Sequence, residues 1–449
     1  APKKQPITLD GPWGTPLCAS LFYTVFALTL LYASGLNYLL LNLLTQMGVR
    51  PSQALLAVFL PFNTLLGEDP ASLLQVRQNG YLDTDGIRGL VFSGALPFFV
   101  LAIGVEIAGA VLVFGRRLHR VNDSINSLSM GLGDQLCGAV IGSMLVGPYA
   151  AIHSKCALLH VDWTHNAAAW WGGFLAVDLA YYWFHRCSHE VSFLWASHAV
   201  HHGSEEYNLT TALRQSFWGS AGFVFYLPLA FLFPLELALA HKVINLLFQF
   251  WIHTRTVGRL GPLEWVLNTP SAHRVHHGRN PWCIDKNFAG TLIIWDRLFC
   301  TYQAEEEVDE EIVYGVVPPL ATWQPVWGQT HHYVEMAHNI YRTPGCCNKL
   351  QLLVRPPGWQ WDGRKNRCRH FAVPRIGHKV NPLAPYDPPL HPLLTTYAAV
   401  QFGTMLLGYF VLVTSVPESG SDSVSRGAAV AVYAAATAIF AQGLVSIAA

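Results

Sequence analysis

The chain has 449 residues, of which 52% are hydrophobic and only 12% are charged. Soluble domains carry about 25% charged residues, so this composition favours a membrane protein. The 28 Lys and Arg balance the 28 Asp and Glu, and without a basic excess no nucleic-acid partner is expected. Nine cysteines include the vicinal pair Cys346 and Cys347, which cannot easily bridge, and indicate a reducing compartment.

Apolar runs long enough to cross a bilayer recur along the chain. A crossing helix needs about 20 largely apolar residues. We predict spans at about 18–47, 88–115, 134–158, 167–186, 216–254, 391–415 and 426–449. Lys and Arg near the N-terminus and at 116–120 favour the cytosolic side for the N-terminus, the 116–133 loop and the region after 186. The predicted fold is all-α, a polytopic transmembrane helix bundle with a cytosolic histidine-rich di-metal cap.

The run 216–254 is too long for one crossing and carries Pro228 and Pro234 near its middle. Histidine motifs lie on both sides of it, and they share one metal site only if they lie on the same face of the membrane. The run is therefore predicted to be a hairpin that enters the bilayer and returns.

Four regions follow from these patterns. We predict an N-terminal transmembrane region at 1–166 and a catalytic core with three histidine motifs at 167–300. A cytosolic irregular segment, rich in Pro, Trp and charge, follows at 301–390, and a C-terminal transmembrane region closes the sequence at 391–449. The first apolar run is too long for a cleavable signal peptide and is interpreted as an uncleaved span.

Eight histidines fall into three short motifs. The motifs are His185-x3-His189, His198-x2-His201-His202 and His273-x2-His276-His277. Positions three and four apart share a helix face, so each motif is predicted to present its imidazoles together. Imidazole binds iron, zinc, copper or nickel, and eight exceed the needs of one ion, so two metals are expected. A structural zinc site usually contains thiolates, and no cysteine repeats here, which favours a redox metal open to dioxygen.

His253 ends the returning half of the hairpin, and its role stays open between a ninth metal ligand, a residue behind the ligands and a bare interfacial histidine. The remaining histidines considered lack a matching context and are predicted not to be ligands: His165, His241, His331 and His332.

Three further features flank the motifs. Asp178 lies two helical turns before His185 and is predicted to accept the N–H of a ligand histidine, with a structural carboxylate as the alternative. Glu190, by spacing alone, is expected to form a salt bridge at the rim. The run 287–297 is interpreted as structural bracing, and the aromatic run 181–184 as either an interfacial belt or a substrate wall.

HRCSH, HAVHH and HRVHH resemble the histidine boxes of the fatty acid hydroxylase/sterol desaturase superfamily of membrane di-iron enzymes. Longer stretches are similar to the alkylglycerol monooxygenase (glyceryl-ether monooxygenase) family. They lie at 178–190, 205–216, 249–254 and 263–299, and are extended by 313–319 and 343–350. The resemblance covers roughly residues 20–360.

This resemblance implies a multi-pass enzyme of the endoplasmic reticulum membrane, with its active site on the cytosolic side, that uses two iron ions, dioxygen and tetrahydrobiopterin. It implies hydroxylation of the ether-linked carbon of 1-O-alkylglycerols and lyso-alkyl phospholipids taken from the bilayer, with release of a fatty aldehyde and glycerol or its derivative. The eight motif histidines become the catalytic metal ligands, and Glu190 becomes the pterin-linked acid.

Two other functions remain open from the sequence. A sterol or fatty acyl hydroxylase or desaturase that draws electrons from cytochrome b5 would carry the same histidine boxes. A transporter or a non-catalytic metal-binding membrane protein would instead scatter ionisable residues near the midplane of several spans. The clustering of the histidines at one rim argues against this second alternative.

Overall fold

The structure is a computed structural model that describes residues 9–33, 96–160, 166–305, 310–359, 361 and 385–414. The regular elements of these ranges are helices, and β pairing is limited to two isolated bridges, Leu267–Leu292 and Gly278–Tyr314. The all-α prediction is therefore confirmed for the described residues.

The α-helices of these ranges are labelled in chain order. They are α1 (Pro16–Ala33), α2 (Leu96–Leu112), α3 (Val121–Cys156), α4 (Ala167–Glu190), α5 (Ser192–His198), α6 (Leu209–Ala212), α7 (Leu235–Ile252), α8 (Pro270–His277), α9 (Ile294–Leu298), α10 (Pro325–Arg342), α11 (Cys346–Val354) and α12 (Pro392–Thr414). Three 3₁₀ segments accompany them, at His201–Gly203, Gly219–Phe231 and Gly261–Trp265.

Helices α4 and α7 form the frame that carries the histidines. The side chain of Asn166 caps α4 by accepting a hydrogen bond from the backbone N–H of Ala169 at 3.0 Å. Helix α4 then runs for 24 residues, about 36 Å at 1.5 Å per residue. It packs against α7. The first histidine motif lies at the C-terminal end of α4, and His253 lies at the C-terminal end of α7. The last turns of the two helices therefore carry histidines of the same site.

The run 216–254 folds back on itself, as predicted, and its entry into a bilayer stays a prediction. Its first half is the 3₁₀ segment Gly219–Phe231, and its second half is α7, which starts after Pro234. The Nε2 atoms of His201, before the run, and His253, at its end, lie 3.2 Å apart. At the bend, the Tyr149 hydroxyl donates to the carbonyl of Phe233 at 3.0 Å, which satisfies a backbone acceptor that no helix uses.

By length and composition, one helix in the described ranges is suited to cross a membrane, Leu235–Ile252. Three apolar helices fall short of that length: Pro16–Tyr32, Phe98–Leu112 and Gly219–Phe231. The predicted run at 426–449 lies outside the described residues, as does the second half of the run at 18–47. The seven-run polytopic bundle and the four regional boundaries stay predictions.

The segment 301–390 was predicted to be irregular, and this is wrong for part of it. Helices α10 and α11 occupy Pro325–Arg342 and Cys346–Val354. Helix α10 buries Pro325, Gln329 and Met336, which recur at helical spacing on one face. Its face packs on α5, where the Ser192 hydroxyl contacts the Met336 sulfur at 3.8 Å. The charged residues of α10, Glu335 and Arg342, lie on an exposed face and in the last turn.

Candidate metal centre

The first and third motifs lie on helices, as their spacing predicts. His185 and His189 occupy consecutive turns at the end of α4, and both are buried. His273, His276 and His277 lie on the short helix α8, all of whose residues are buried. Pro270 starts α8 at a position where the missing N–H costs no helical hydrogen bond.

The second motif does not lie on a single helix, which corrects the prediction. Helix α5 ends at His198, and His201 and His202 belong to a separate 3₁₀ turn. The guanidinium of Arg214 donates from Nε to the carbonyl of Val200 at 2.7 Å, so this carbonyl is held by a side chain at the break. The motif is divided between two clusters, with His198 and His202 in one and His201 in the other.

The nine histidines gather into two groups, and all of them are buried except His198, which is half-buried. Within each group, one ligand atom from every member lies within 4.8 Å of the others. The five-histidine group contains His185, His189, His198, His202 and His276. The four-histidine group contains His201, His253, His273 and His277. All eight predicted histidines are thus brought together, and His253, whose role the sequence left open, completes the smaller group.

Backbone carbonyls orient at least four of these rings. Each of the four Nδ1–H groups donates to a carbonyl oxygen from a different part of the chain. The pairs are His185 with Phe288 at 2.7 Å, His201 with Arg214 at 2.9 Å, His253 with Gln249 at 2.7 Å, and His276 with Lys286 at 2.8 Å. A proton held at Nδ1 leaves the lone pair at Nε2 free to bind a metal.

The Nε2 atoms face one another at close range. His185 and His198 are 2.9 Å apart at Nε2, while His253 lies 3.0 Å from His273 and 3.2 Å from His277. Within the described ranges, the buried Nε2 of His276 has no hydrogen-bond partner. Such an orphaned buried acceptor costs about 1–3 kcal/mol. A cation in each group would satisfy these lone pairs, and an all-imidazole donor set suits iron, zinc, copper or nickel.

His201, His202 and His277 are held in the neutral state that metal binding requires. Burial lowers the pKa of His201 to about 4. Burial, together with the neighbouring imidazoles, also lowers the pKa of His202 and His277 well below the usual 6.5. Near pH 7 the rings therefore carry a lone pair instead of a second proton, and metal binding requires no deprotonation.

The other histidines lie outside both groups. His241 is buried in the middle of α7 against the rings of Trp170 and Phe174, at 4.3 and 5.8 Å between centroids. His331 and His332 lie on α10, and His332 Nε2 is 3.1 Å from the Ser192 hydroxyl. His165 lies outside the described residues.

Asp178 does not act as predicted. Its carboxylate accepts the backbone N–H groups of Thr291 at 2.9 Å and Leu292 at 3.0 Å, and the indole N–H of Trp295 at 2.9 Å. The amide of Asn245 is a fourth donor. In the described ranges none of its partners is a histidine, so the structural alternative holds. Asp178 fastens the 291–295 segment to α4, which agrees with the bracing role expected for the run 287–297.

We expect Asp178→Asn to lower stability and to spare the metal centre. The amide keeps one acceptor oxygen and places N–H donors against backbone donors, so each donor left unsatisfied costs about 1–3 kcal/mol. Thermal unfolding of the purified protein should show this loss, and metal analysis of the variant below its transition should match the wild type. A variant of normal stability that has lost metal would restore the original interpretation of Asp178 as a partner of a ligand histidine.

Glu190 forms the salt bridge expected from its spacing. Its carboxylate lies 2.9 Å from Nε of Arg186, one turn earlier on α4, and its side chain is 42% exposed. Arg186 also donates to the Tyr182 hydroxyl at 3.2 Å. Glu190 belongs to neither histidine group and is accessible at the rim beside them.

A buried ion pair that the sequence analysis missed holds the third motif in place. Arg274, between His273 and His276, pairs with Glu305 through Nε at 3.0 Å and a second nitrogen at 2.8 Å. Its remaining nitrogen donates to the carbonyls of Thr254 at 3.0 Å and Val257 at 2.7 Å. The pair therefore joins α8 to the loop that follows His253. In the sequence, the only signal for this ion pair is the position of Arg274 inside a histidine motif.

Comparison with known proteins agrees with this geometry. The fatty acid hydroxylase family model matches residues 170–301, a range that contains all nine grouped histidines. Ornithine lipid hydroxylase from Rhizobium tropici is 29% identical over 133 residues, covering 29% of this chain and 40% of that protein. No solved structure matches the chain at a significant level.

Longer matches come from alkylglycerol monooxygenases. The Xenopus tropicalis enzyme is 40% identical over 338 residues, covering 75% of this chain and 74% of that protein. The human enzyme is 40% identical over 316 residues, which cover 70% of this chain and 69% of that enzyme. The Danio rerio enzyme is 41% identical over 337 residues, which cover 75% of this chain and 73% of that enzyme. With relatives this similar over most of their length, and with a fatty acid hydroxylase core that holds every grouped histidine, the chain belongs to the alkylglycerol monooxygenase family.

Proposed function

We propose that the chain is a tetrahydrobiopterin-dependent di-iron monooxygenase that hydroxylates the ether-linked carbon of 1-O-alkylglycerols and lyso-alkyl phospholipids. Hydroxylation of that carbon gives a hemiacetal, whose C–O bond breaks to release a fatty aldehyde and glycerol or its derivative. One oxygen atom enters the lipid, and the other is reduced to water with two electrons from the pterin. The observation that carries this proposal is the pair of adjacent histidine groups in a chain of this family.

The residues present fit two iron ions. The five-histidine and four-histidine groups would each hold one ion through neutral imidazole nitrogens. When bound, the ions supply the dioxygen chemistry that no side chain provides. The chain fixes the rings through backbone carbonyls such as those of Phe288 and Arg214, and the burial of the histidines keeps bulk water from the reacting centre.

Glu190 is proposed to bind the pterin. A carboxylate pairs well with two adjacent N–H donors, which the amino-pyrimidine edge of a pterin offers. Glu190 directly follows His189, and its exposure leaves the carboxylate accessible to a ligand arriving at the rim. Arg186, 2.9 Å away, would hold the carboxylate in place and compensate its charge.

We further propose that the enzyme is integral to the endoplasmic reticulum membrane, with the metal centre on the cytosolic side and the alkyl chain entering from the bilayer. Large apolar side chains are exposed on α1, α2 and α12, including Leu17 at 79% and Leu393 at 74%. Extended apolar surface of this kind marks contact with a membrane or a partner. An ether lipid dissolved in that membrane would reach the histidines along the same helices.

The second candidate is a sterol or fatty acyl hydroxylase or desaturase that uses cytochrome b5. The match of residues 170–301 to the fatty acid hydroxylase family favours it, because that match covers the histidine motifs without the flanking sequence. The two candidates differ in electron donor and in substrate, so one assay separates them.

The assay incubates the detergent-purified, iron-loaded chain with a radiolabelled 1-O-alkylglycerol and measures fatty aldehyde. We expect aldehyde with tetrahydrobiopterin and none with reduced cytochrome b5. Glu190→Gln should raise the KM for the pterin and leave the iron content unchanged. Turnover that depends on cytochrome b5, or aldehyde formation without any pterin, would reject the proposed function in favour of the second candidate.

A further inference from the structure

Glu106 is a fully buried carboxylate on α2, with 0% of its surface exposed. It lies outside the range that matches the fatty acid hydroxylase family and inside a predicted membrane span, 88–115. An ionisable side chain in such a segment is costly to bury unless its hydrogen bonds are satisfied, and residues of this kind are usually functional.

Three donors from separate parts of the chain satisfy this carboxylate. Oε2 accepts from Nε2 of His119 at 2.9 Å and from the backbone N–H of Leu209 at 3.0 Å. Oε1 accepts from the hydroxyl of Thr254. The carboxylate therefore joins α2 to two segments of the catalytic core that are 45 residues apart in sequence.

Both segments form walls of the four-histidine group. Thr254 directly follows His253, and its carbonyl accepts a hydrogen bond from Arg274, next to His273. Leu209 lies two residues after Tyr207, whose ring stacks on His253 with centroids 5.7 Å apart. The Tyr207 hydroxyl also donates to the carbonyl of Ile252 at 2.8 Å. Glu106 therefore holds the residue that follows His253 and the segment whose Tyr207 ring stacks on His253.

We propose that Glu106 is a positioning residue for the four-histidine group. It sets the backbone around His253 and Tyr207 so that Nε2 of His253 faces His201, His273 and His277. Glu106 itself belongs to neither group. Helix α2 then supports the four-histidine group from outside it. This inference rests on the proposed function in one respect, since it requires the four-histidine group to hold an ion.

The test compares four variants of the full chain in detergent. Glu106→Leu fills a similar volume but leaves Leu209, His119 and Thr254 without their acceptor. Glu106→Gln is the conservative variant, because its amide oxygen still accepts from Leu209 and His119 and its NH₂ group donates to the Thr254 hydroxyl. Thr254→Val removes one donor from the opposite side. Phe22→Ala, which opens a cavity between Phe26 of α1 and Phe114, just beyond the end of α2, controls for instability.

The readout is binding of Fe²⁺ under anaerobic conditions against graded chelator, with thermal unfolding measured in parallel. Loss of a residue that orients a metal ligand typically weakens metal binding about 10- to 100-fold. We expect this loss for one of the two ions in Glu106→Leu and Thr254→Val, and most of the affinity to return in Glu106→Gln. Phe22→Ala should lower the melting temperature and retain both affinities.

Wild-type affinity for both ions in Glu106→Leu and Thr254→Val would overturn the inference. So would an equal loss of affinity in Phe22→Ala at the same loss of stability, and so would a wild-type chain that binds no second ion. One further outcome separates the two proposals. If the wild type binds two ions tightly, Glu106→Leu binds one of them more weakly, and neither turns over alkylglycerol, then the role of Glu106 is upheld and the proposed function is rejected.

Discussion

His201→Ala should lower the rate of ether-lipid cleavage at least about 100-fold and release one of two bound ions. Changes to residues that merely orient a metal ligand cost about 10- to 100-fold, and loss of the ligand itself should cost no less. His201 lies in the four-histidine group, and its Nδ1–H bond to Arg214 also fastens the 3₁₀ turn of the second motif. Aldehyde release and iron per chain are measured on one preparation.

The matched control is His338→Ala, on the exposed face of α10 and outside both groups. It should keep the turnover and the iron content of the wild type. Far-ultraviolet circular dichroism verifies that both variants keep their helical content. A His201→Ala enzyme with both ions and normal turnover would reject the four-histidine group as a metal site.

His253→Ala should lower turnover and iron content as much as His201→Ala does, although the sequence leaves the role of His253 open. Its Nε2 lies 3.0 to 3.2 Å from those of His201, His273 and His277, so it is central to the group. Removing it leaves three imidazoles. We expect iron to fall from two ions to one per chain, with turnover reduced at least about 100-fold.

His332→Ala provides the comparison, since it removes a partly buried histidine on α10 that belongs to neither group. It should keep both ions. If His253→Ala retained both ions as well, then eight histidines would suffice and His253 would be a neighbour of the site without being a ligand.

Helical spacing was enough to predict the shared face of His185 and His189, and the need for a common face was enough to predict the hairpin. Spacing also placed the third motif on a helix, but there His276 falls in one group and His273 and His277 in the other. Spacing failed at His198–His202, because Arg214 occupies a carbonyl at the break and comes from a later part of the chain. The break itself does not set the division between the two groups, because the unbroken helix α8 shows the same division.

A sequence pattern also cannot predict which backbone groups will form hydrogen bonds with a given side chain. His185 and His276 are oriented by the carbonyls of Phe288 and Lys286, and any residue type offers the same carbonyl. Asp178 was assigned to a histidine because it lies two turns from His185 on the same helix, yet in the folded chain the closer donors are the backbone N–H groups of Thr291 and Leu292. Helical position specified the face of Asp178 and could not specify what packs against it.

Iron analysis of a catalytically active preparation tests the central claim most directly. The wild-type chain is loaded anaerobically with Fe²⁺, passed through a chelating resin, and divided between elemental analysis and the pterin-dependent assay with alkylglycerol. The two histidine groups predict two iron ions per chain in the fraction that releases fatty aldehyde. Full turnover with a single ion per chain, or with none, would contradict the di-iron centre.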